Sequence, residues 1–233
     1  TETGTTRTEY TIVRLAEDDY YLISAGAWAD YDGDNLRKLA EDMGRAFGQI
    51  IVQDITTQWG VFAIAGPNSR KILQEIVRDA DPATVLGNKR FPWLSMRNIE
   101  LGMCPVRAIR VAYTGELGWE LHHPIEFGRY LWDQLVIAGE KHGLKLVGAR
   151  AQNWLRQEKS YRAFGTELGR DATPLEAGLD RFVDLDKDFR GKQEMLDKGI
   201  QVFDPNDTGR VVAEVNANYP YLKTTYKHHA LPR

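Results

Sequence analysis

Val61-Phe62-Ala63-Ile64-Ala65-Gly66-Pro67-Asn68-Ser69-Arg70-Lys71-Ile72-Leu73-Gln74-Glu75-Ile76-Val77 decides the fold class of this chain. Its first five residues are an apolar run of strand length, and Gly-Pro-Asn-Ser is a turn that also supplies helix-capping side chains. After the turn, Ile72, Leu73, Ile76 and Val77 recur at the helical period. A strand that feeds a helix this tightly belongs to a layered protein in which both elements bury one face.

Upstream, Ile51–Ile55 reads as another strand, and Leu36, Leu39, Met43 and Phe47 predict an amphipathic helix over 35–47 that ends near Gly48, its stripe facing the core. Before it, Tyr10–Leu15 and Tyr20–Ile23 flank Glu17-Asp18-Asp19 at hairpin distance. Downstream, strands are expected at Ile99–Leu101, Arg107–Ala112 and Trp119–His122, followed by a helix begun by Pro124 with Phe127, Leu131 and Leu135 on one face and a stop at Gly143. Leu144–Val147 reads as a strand and Ala149–Phe164 as a polar helix carrying Arg150, Arg156, Glu158 and Arg162. Thr173–Leu179 is a turn-rich linker, and Arg210–Val215 starts a further strand set. The order predicts an α+β fold, a sandwich of split βαβ type.

With 233 residues, 42% apolar, six Trp, ten Tyr and eight Phe, the chain can fill a packed core. Lys and Arg number 30 against 33 Asp and Glu, a net charge of −3 with the signs interspersed, which argues against nucleic acid or an anionic membrane surface as a partner. No run approaches the roughly 20 apolar residues that span a bilayer. The first residues lack a signal-peptide pattern, and both ends read as cuts through a longer protein. The single Cys104 excludes an intrachain disulfide and fits a reducing compartment, cytoplasmic or mitochondrial matrix. It is expected to be a buried, inert thiol, and the histidines, including His122, His123 and His142, to be surface groups with no metal.

Three ordered segments carry a family likeness: Glu9–Leu15 with its hairpin; Tyr113-Thr114-Gly115-Glu116-Leu117-Gly118-Trp119-Glu120-Leu121; and Gly148-Ala149-Arg150 through Leu155–Lys159 and Phe164-Gly165 to Thr173–Leu179, closing with Asp188–Lys192. Together they resemble the folate-binding family of the glycine-cleavage aminomethyltransferase. Lys159–Gly165 followed by Pro-Leu-Glu-Ala-Gly-Leu is more similar to the folate region of the dimethylglycine and sarcosine dehydrogenases. The likeness implies split βαβ-type subdomains of a cloverleaf around a central folate site, with the start of a C-terminal β-barrel. It divides the chain into 1–50 as part of the second folate subdomain, 51–149 as an α+β folate-binding subdomain, 150–197 as the return to the second, and 198–233 as the truncated barrel.

The implied activity is tetrahydrofolate-dependent one-carbon transfer, forming 5,10-methylenetetrahydrofolate from a methylated amine-derived donor. FAD would belong to a separate or covalently linked flavin domain, since this chain has no Gly-x-Gly-x-x-Gly after a strand. A stand-alone folate-dependent demethylase, a non-catalytic folate-binding module and a decayed structural domain are the alternatives. The motif Gly102-Met103-Cys104-Pro105 does not match the Lys-Gly-Cys-Tyr type of the iron–sulfur repair relative.

The pterin edge presents two neighbouring N–H donors, which one carboxylate accepts together. The resemblance assigns that role to Glu120, seven residues after the site tyrosine Tyr113, whose ring and phenol both suit a pterin. Ile23 is placed with them as a cofactor-binding residue. Arg150 matches an arginine near the folate, its fork suited to a tail carboxylate or a pterin carbonyl. Glu9 stands where the aminomethyltransferase pattern has an aspartate, and is the expected catalytic carboxylate. Ala25 replaces an asparagine of that pattern, Glu116 reads as a loop residue, and Arg156 and Glu158 as structural ion pairs.

Overall fold

The structure is a computed structural model that describes residues 1–197. The described residues divide into two compact units, one made of Thr8–Ala163 and the other of Thr1–Arg7 with residues 164–197.

In the larger unit, β1 (Thr11–Arg14) and β2 (Tyr20–Ile23) form the expected antiparallel hairpin, with Thr11 opposite Ile23 and Val13 opposite Tyr21. Its turn is closed by Leu15 and Ala16 amides donating to the Asp19 carbonyl at 2.8 and 3.1 Å. Helix α1 (Ala29–Phe47) begins earlier than its apolar stripe, because Asp30 and Asp32 in the first turn suit the positive end of the helix. It ends at Gly48, whose φ of +89° an L side chain rarely adopts. The core assignment of its stripe is overturned: Leu36 and Leu39 are half-buried, but Met43 is 48% and Phe47 77% exposed. Periodicity identifies a stripe, whereas burial needs a covering element.

The second sheet contains β3 (Trp59–Ala65), β4 (Met96–Leu101), β5 (Cys104–Ile109) and β6 (Gly118–Pro124) in the order β3-β6-β5-β4. Every pairing in it is antiparallel. A split βαβ unit would set two parallel strands around a third. Here the helical connection from β3 to β4 joins antiparallel strands with β6 and β5 between them, so the split βαβ expectation is corrected to an antiparallel sheet covered by helices. β4 and β5 turn at Gly102 and Met103, where Gly102 supplies the φ of +58° that a two-residue hairpin loop requires.

Helix α2 (Ser69–Ile76) starts at the expected turn. Helix α3 (Pro82–Val85), which the sequence pattern does not predict, is capped by Asp81, whose side chain accepts the Thr84 amide. Helix α4 (Gly128–Glu140) begins after a short turn at Ile125–Phe127 that follows Pro124, and ends three residues before Gly143. The Ser69 hydroxyl donates to the carbonyls of Gly66 (2.7 Å) and Leu117 (3.0 Å), tying the start of α2 to the loop before β6. One face of the sheet packs on these helices through Ile64, Leu101, Val106, Ala108, Trp119 and Leu121, met by Ile72, Leu73, Leu131 and Leu135. Trp119 is fully buried, with Phe91 edge-on at 6.1 Å and the Arg70 and Arg110 guanidiniums 5.7 and 5.8 Å from its ring centre.

Two expected strands do not form. Residues 51–55 are irregular, with Ile51 79% exposed, and lead into a short turn Thr56–Gln58 that Asp54 begins by accepting the Thr56 amide at 2.9 Å. Residues 144–147 are likewise irregular, with Leu146 73% exposed. Neither run pairs with a strand; the Ile55 carbonyl instead accepts the Gln58 amide and the Leu144 amide donates to the Gly139 carbonyl. Helix α5 (Ala149–Glu158) stops short of the expected Phe164. The Arg156 carbonyl accepts the Lys159 and Tyr161 amides, and Ser160 adopts a φ of +57°. No Gly or Pro announces that stop.

In the smaller unit the Thr6 amide donates to the Ala172 carbonyl at 3.0 Å, and helix α6 (Lys192–Asp197) packs buried Met195 near Gly4. Thr173 and Glu176 form a reciprocal box: the Thr173 amide donates to Glu176 Oε2 (2.7 Å) and the Glu176 amide to Thr173 Oγ1 (3.1 Å). The strand expected at 210–215 and the barrel it would start lie outside the described residues. No helix among the described residues is long and apolar enough to cross a membrane.

Cys104 is fully buried on β5, as expected, and that burial, aided by the Glu126 charge, pushes its thiol up to about 11. An unfolded thiol ionises first as pH rises, so the folded state loses relative stability above pH 9. The stability advantage of the parent chain over Cys104→Val should therefore shrink by roughly 2 kcal/mol between pH 8 and pH 11, measured by urea unfolding.

Candidate functional site

Strand β6 presents two chemistries because successive side chains leave opposite faces of a sheet. Trp119, Leu121 and His123 face the helices, and His123 stacks on Phe62 at 4.8 Å. Glu120 and His122 face the other way, beside Ile109 and Arg107, their register partners on β5. On this second face His122 Nε2 lies 3.3 Å from Glu120 Oε2, and the Tyr21 hydroxyl of β2 lies 3.0 Å from His122 Nδ1. The Arg107 guanidinium sits 5.0 Å from the Tyr21 ring centre and 4.3 Å from that of Trp59. Burial holds the Tyr21 phenol above its ordinary pKa, with Arg107 lowering it and Glu120 raising it.

The Glu120 side chain is 31% exposed, so it combines access with a fixed partner. Among the described residues its Oε1 has no hydrogen-bond partner, and Glu120 makes no hydrogen bond to Glu9, Tyr113 or Arg150. Tyr113 lies in the loop before β6, 38% exposed, its hydroxyl donating to the Arg162 carbonyl at 2.8 Å. That commits the phenolic proton, and the ring meets that of Tyr161 with centres 6.4 Å apart. The loop turns at Gly115, φ +68°, where a Cβ would meet Lys159. Glu116 is a loop residue, 3.3 Å from Lys159 Nζ.

Glu9 is exposed, two residues before the strand position that pairs with Ile23, and Ile23 itself is half-buried at the end of β2. Ala25 is exposed just beyond it. Arg150 is exposed in the first turn of α5. All five expected site residues thus belong to the larger unit, and the observed contacts tie Glu120 to the hairpin through His122 and Tyr21.

The surface reading of two histidines is corrected. His122 and His123 are each 1% exposed, because both lie within β6 rather than at its frayed end. His142 pairs with Glu75 Oε1 at 3.2 Å, and Lys141 with Oε2 at 2.7 Å, which together hold the Glu75 carboxyl below its ordinary pKa. Among the described residues, no group of three or more His, Cys, Asp or Glu could hold a metal ion. Tyr21, His122 and Arg107 were absent from the sequence-based site. The alternation of β6 links Glu120 to His122 directly, but nothing local links either to Tyr21. Arg156 is 2% exposed and hydrogen-bonded to Asn153 Oδ1 (2.9 Å) and the Tyr161 carbonyl (2.7 Å), so it holds the turn after α5 by hydrogen bonds to an amide and to backbone.

A depression of about 450 Å³ takes in Trp59, Arg78, Glu100, Arg107 and Pro124 at the far end of β6; none of the five expected site residues lines it.

A profile of the GCVT N-terminal domain matches residues 1–187. The chain is 36% identical to the human mitochondrial dimethylglycine dehydrogenase over 197 residues, which is 84% of this chain and 22% of that protein. It is 30% identical to the aminomethyltransferase of Thermoanaerobacter sp. (strain X514) over 186 residues, 79% of this chain and 48% of that one. The chain therefore spans about a fifth and about half of these relatives. The crystal structure of the glycine cleavage system aminomethyltransferase T from Bartonella henselae superposes with a TM-score of 0.65 at 25% identity, over 84% of this chain and 50% of that one.

The buried arginine of α5 offers a direct test of the scaffold around Tyr113. Arg156→Met should destabilise the chain by about 2 to 3 kcal/mol in urea unfolding, since it removes a buried charged donor from Asn153 Oδ1 and the Tyr161 carbonyl.

Proposed function

The chain belongs to the GCVT N-terminal domain family, and from that premise we propose that it binds tetrahydrofolate and serves one-carbon transfer. The finer reading is the folate-binding region of a dimethylglycine or sarcosine dehydrogenase-like enzyme that forms 5,10-methylenetetrahydrofolate from a methylated amine-derived donor. The 36% identity to a dimethylglycine dehydrogenase, against 30% to an aminomethyltransferase, supports the dehydrogenase branch. In this reading residues 51–149 form the folate-binding subdomain, and FAD chemistry belongs to a flavin domain outside this chain. The mitochondrial relative supports a matrix or cytoplasmic setting.

The observation that carries the proposal is the Glu120 carboxylate, part exposed, held on one oxygen by His122 and seven residues after Tyr113. That acceptor pair fits a pterin: Oε1 accepts from the ring edge, and Oε2 has a lone pair left beside the His122 contact. Bound tetrahydrofolate supplies the N5 and N10 nucleophiles that capture the one-carbon unit. Tyr113 offers its ring as a flat wall, and Ile23 adds an apolar contact from the end of β2. Arg150, an exposed guanidinium, pairs with a carboxylate of the glutamate tail. Glu9 supplies the negative charge that stabilises a cationic donor and accepts a proton.

Titration with folinic acid tests this assignment. Glu120→Ala should weaken binding by about 2 to 3 kcal/mol, roughly 30- to 150-fold, while Glu116→Ala leaves it within about twofold. Equal, small effects from both changes defeat the role given to Glu120. Glu9→Gln should keep folate affinity but lower kcat and kcat/KM together in the full-length parent enzyme, because it removes a charge used in the transition state. Transfer at the parental rate would make Glu9 a structural residue.

A further inference from the structure

The geometry points to Tyr21 and His122 as positioning residues that hold the Glu120 carboxylate in its binding orientation, through a one-directional hydrogen-bond relay across two sheets. This rests on the folate reading above. A carboxylate only accepts, so the proton between His122 and Glu120 resides on Nε2. In the neutral ring Nδ1 then accepts, and the Tyr21 hydroxyl 3.0 Å away donates to it. The chain runs Tyr21 O–H to Nδ1, then Nε2–H to Glu120 Oε2 at 3.3 Å.

Each link is fixed by something independent of the relay. His122 is 1% exposed and Tyr21 8%, so water does not compete freely for either. The Tyr21 ring meets the imidazole edge-on, with centres 5.6 Å apart and planes at 82°, which aims the hydroxyl at the ring nitrogen rather than its face. Arg107, opposite His122 in register, caps Tyr21 and Trp59 with its guanidinium, and the raised pKa of the phenol keeps it a donor. Glu120 itself has no other partner among the described residues, so without His122 its carboxylate is free to rotate. A chain of hydrogen bonds whose first two members are buried limits the rotamers of its last group, and preorganised acceptors bind better than mobile ones.

The relay also assigns a task to the hairpin. β1–β2 is short and largely exposed, yet Tyr21 of β2 is buried, and that residue ends on the imidazole that grips Glu120.

The test uses the 233-residue chain and folinic acid as probe. Tyr21→Phe, which deletes only the hydroxyl, should raise Kd about three- to tenfold, and His122→Leu by more. His122→Gln, which retains a donor near the Nε2 position, should restore binding to within about threefold of the parent. In a Glu120→Ala background, where no acceptor is left for the relay to hold, the Tyr21→Phe effect should vanish, a coupling that general destabilisation does not produce. Imidazole nitrogen NMR of the ligand-free chain should show His122 protonated on Nε2, with the Nδ1 resonance moved by Tyr21→Phe. A ring protonated on Nδ1 alone overturns the relay. So does parental affinity in both Tyr21→Phe and His122→Leu while Glu120→Ala still weakens binding. If Glu120→Ala also binds at the parental level, the folate reading has failed and the relay's role fails with it.

Discussion

The two-faced alternation of β6 is the constraint on which the rest depends. Trp119 and Leu121 must enter the core against α2 and α4, because exposing them would forfeit the largest apolar surfaces of the sheet. That forces Glu120 and His122 to the opposite face. A slip of one residue would bury the carboxylate and expose the indole, so the same burial that stabilises the sheet fixes the candidate site. The lack of a side chain at Gly118, where a Cβ would lie 2.6 Å from the Ile64 carbonyl oxygen, lets β6 approach β3 at this register.

Much of the fold was legible because its strongest elements carry both a period and a boundary. The hairpin has a polar turn between two apolar-rich runs, α2 has Gly-Pro-Asn-Ser before its stripe, and α4 has Pro124 before its own. The misreadings share one cause. Residues 51–55 and 144–147 are β-like in composition, but a strand exists only against an edge, and no local rule reveals whether an edge is available. The end of α5 was missed because a serine adopts the left-handed conformation that glycine usually marks. Inferring a split βαβ unit from element order failed for a related reason: order along the chain leaves open where β3 inserts, and it joins beside β6.

The site divides the same way. Glu120 and Tyr113 came from a resemblance carried by a short motif, and alternation alone makes His122 the neighbour of Glu120. Tyr21 lies 101 residues from its imidazole partner, so only tertiary packing brings it there. The segment Thr173–Leu179 reads only as a turn-rich linker, and the structure adds the reciprocal hydrogen bonds between Thr173 and Glu176, three positions apart.

The sheet order has a consequence for how the chain is made. β4, β5 and β6 follow one another with short connections, so their pairing needs little loop closure, whereas β3 must join β6 across a stretch in which Val61 finds His122. Contacts of that separation form late. Until β3 arrives, the backbone of β6 is an open edge with Trp119 and Leu121 beside it, a surface prone to pairing with another chain. Amide protection in β4–β5 should therefore precede that in β3 during refolding, and the interval between them is when this protein is most exposed to aggregation.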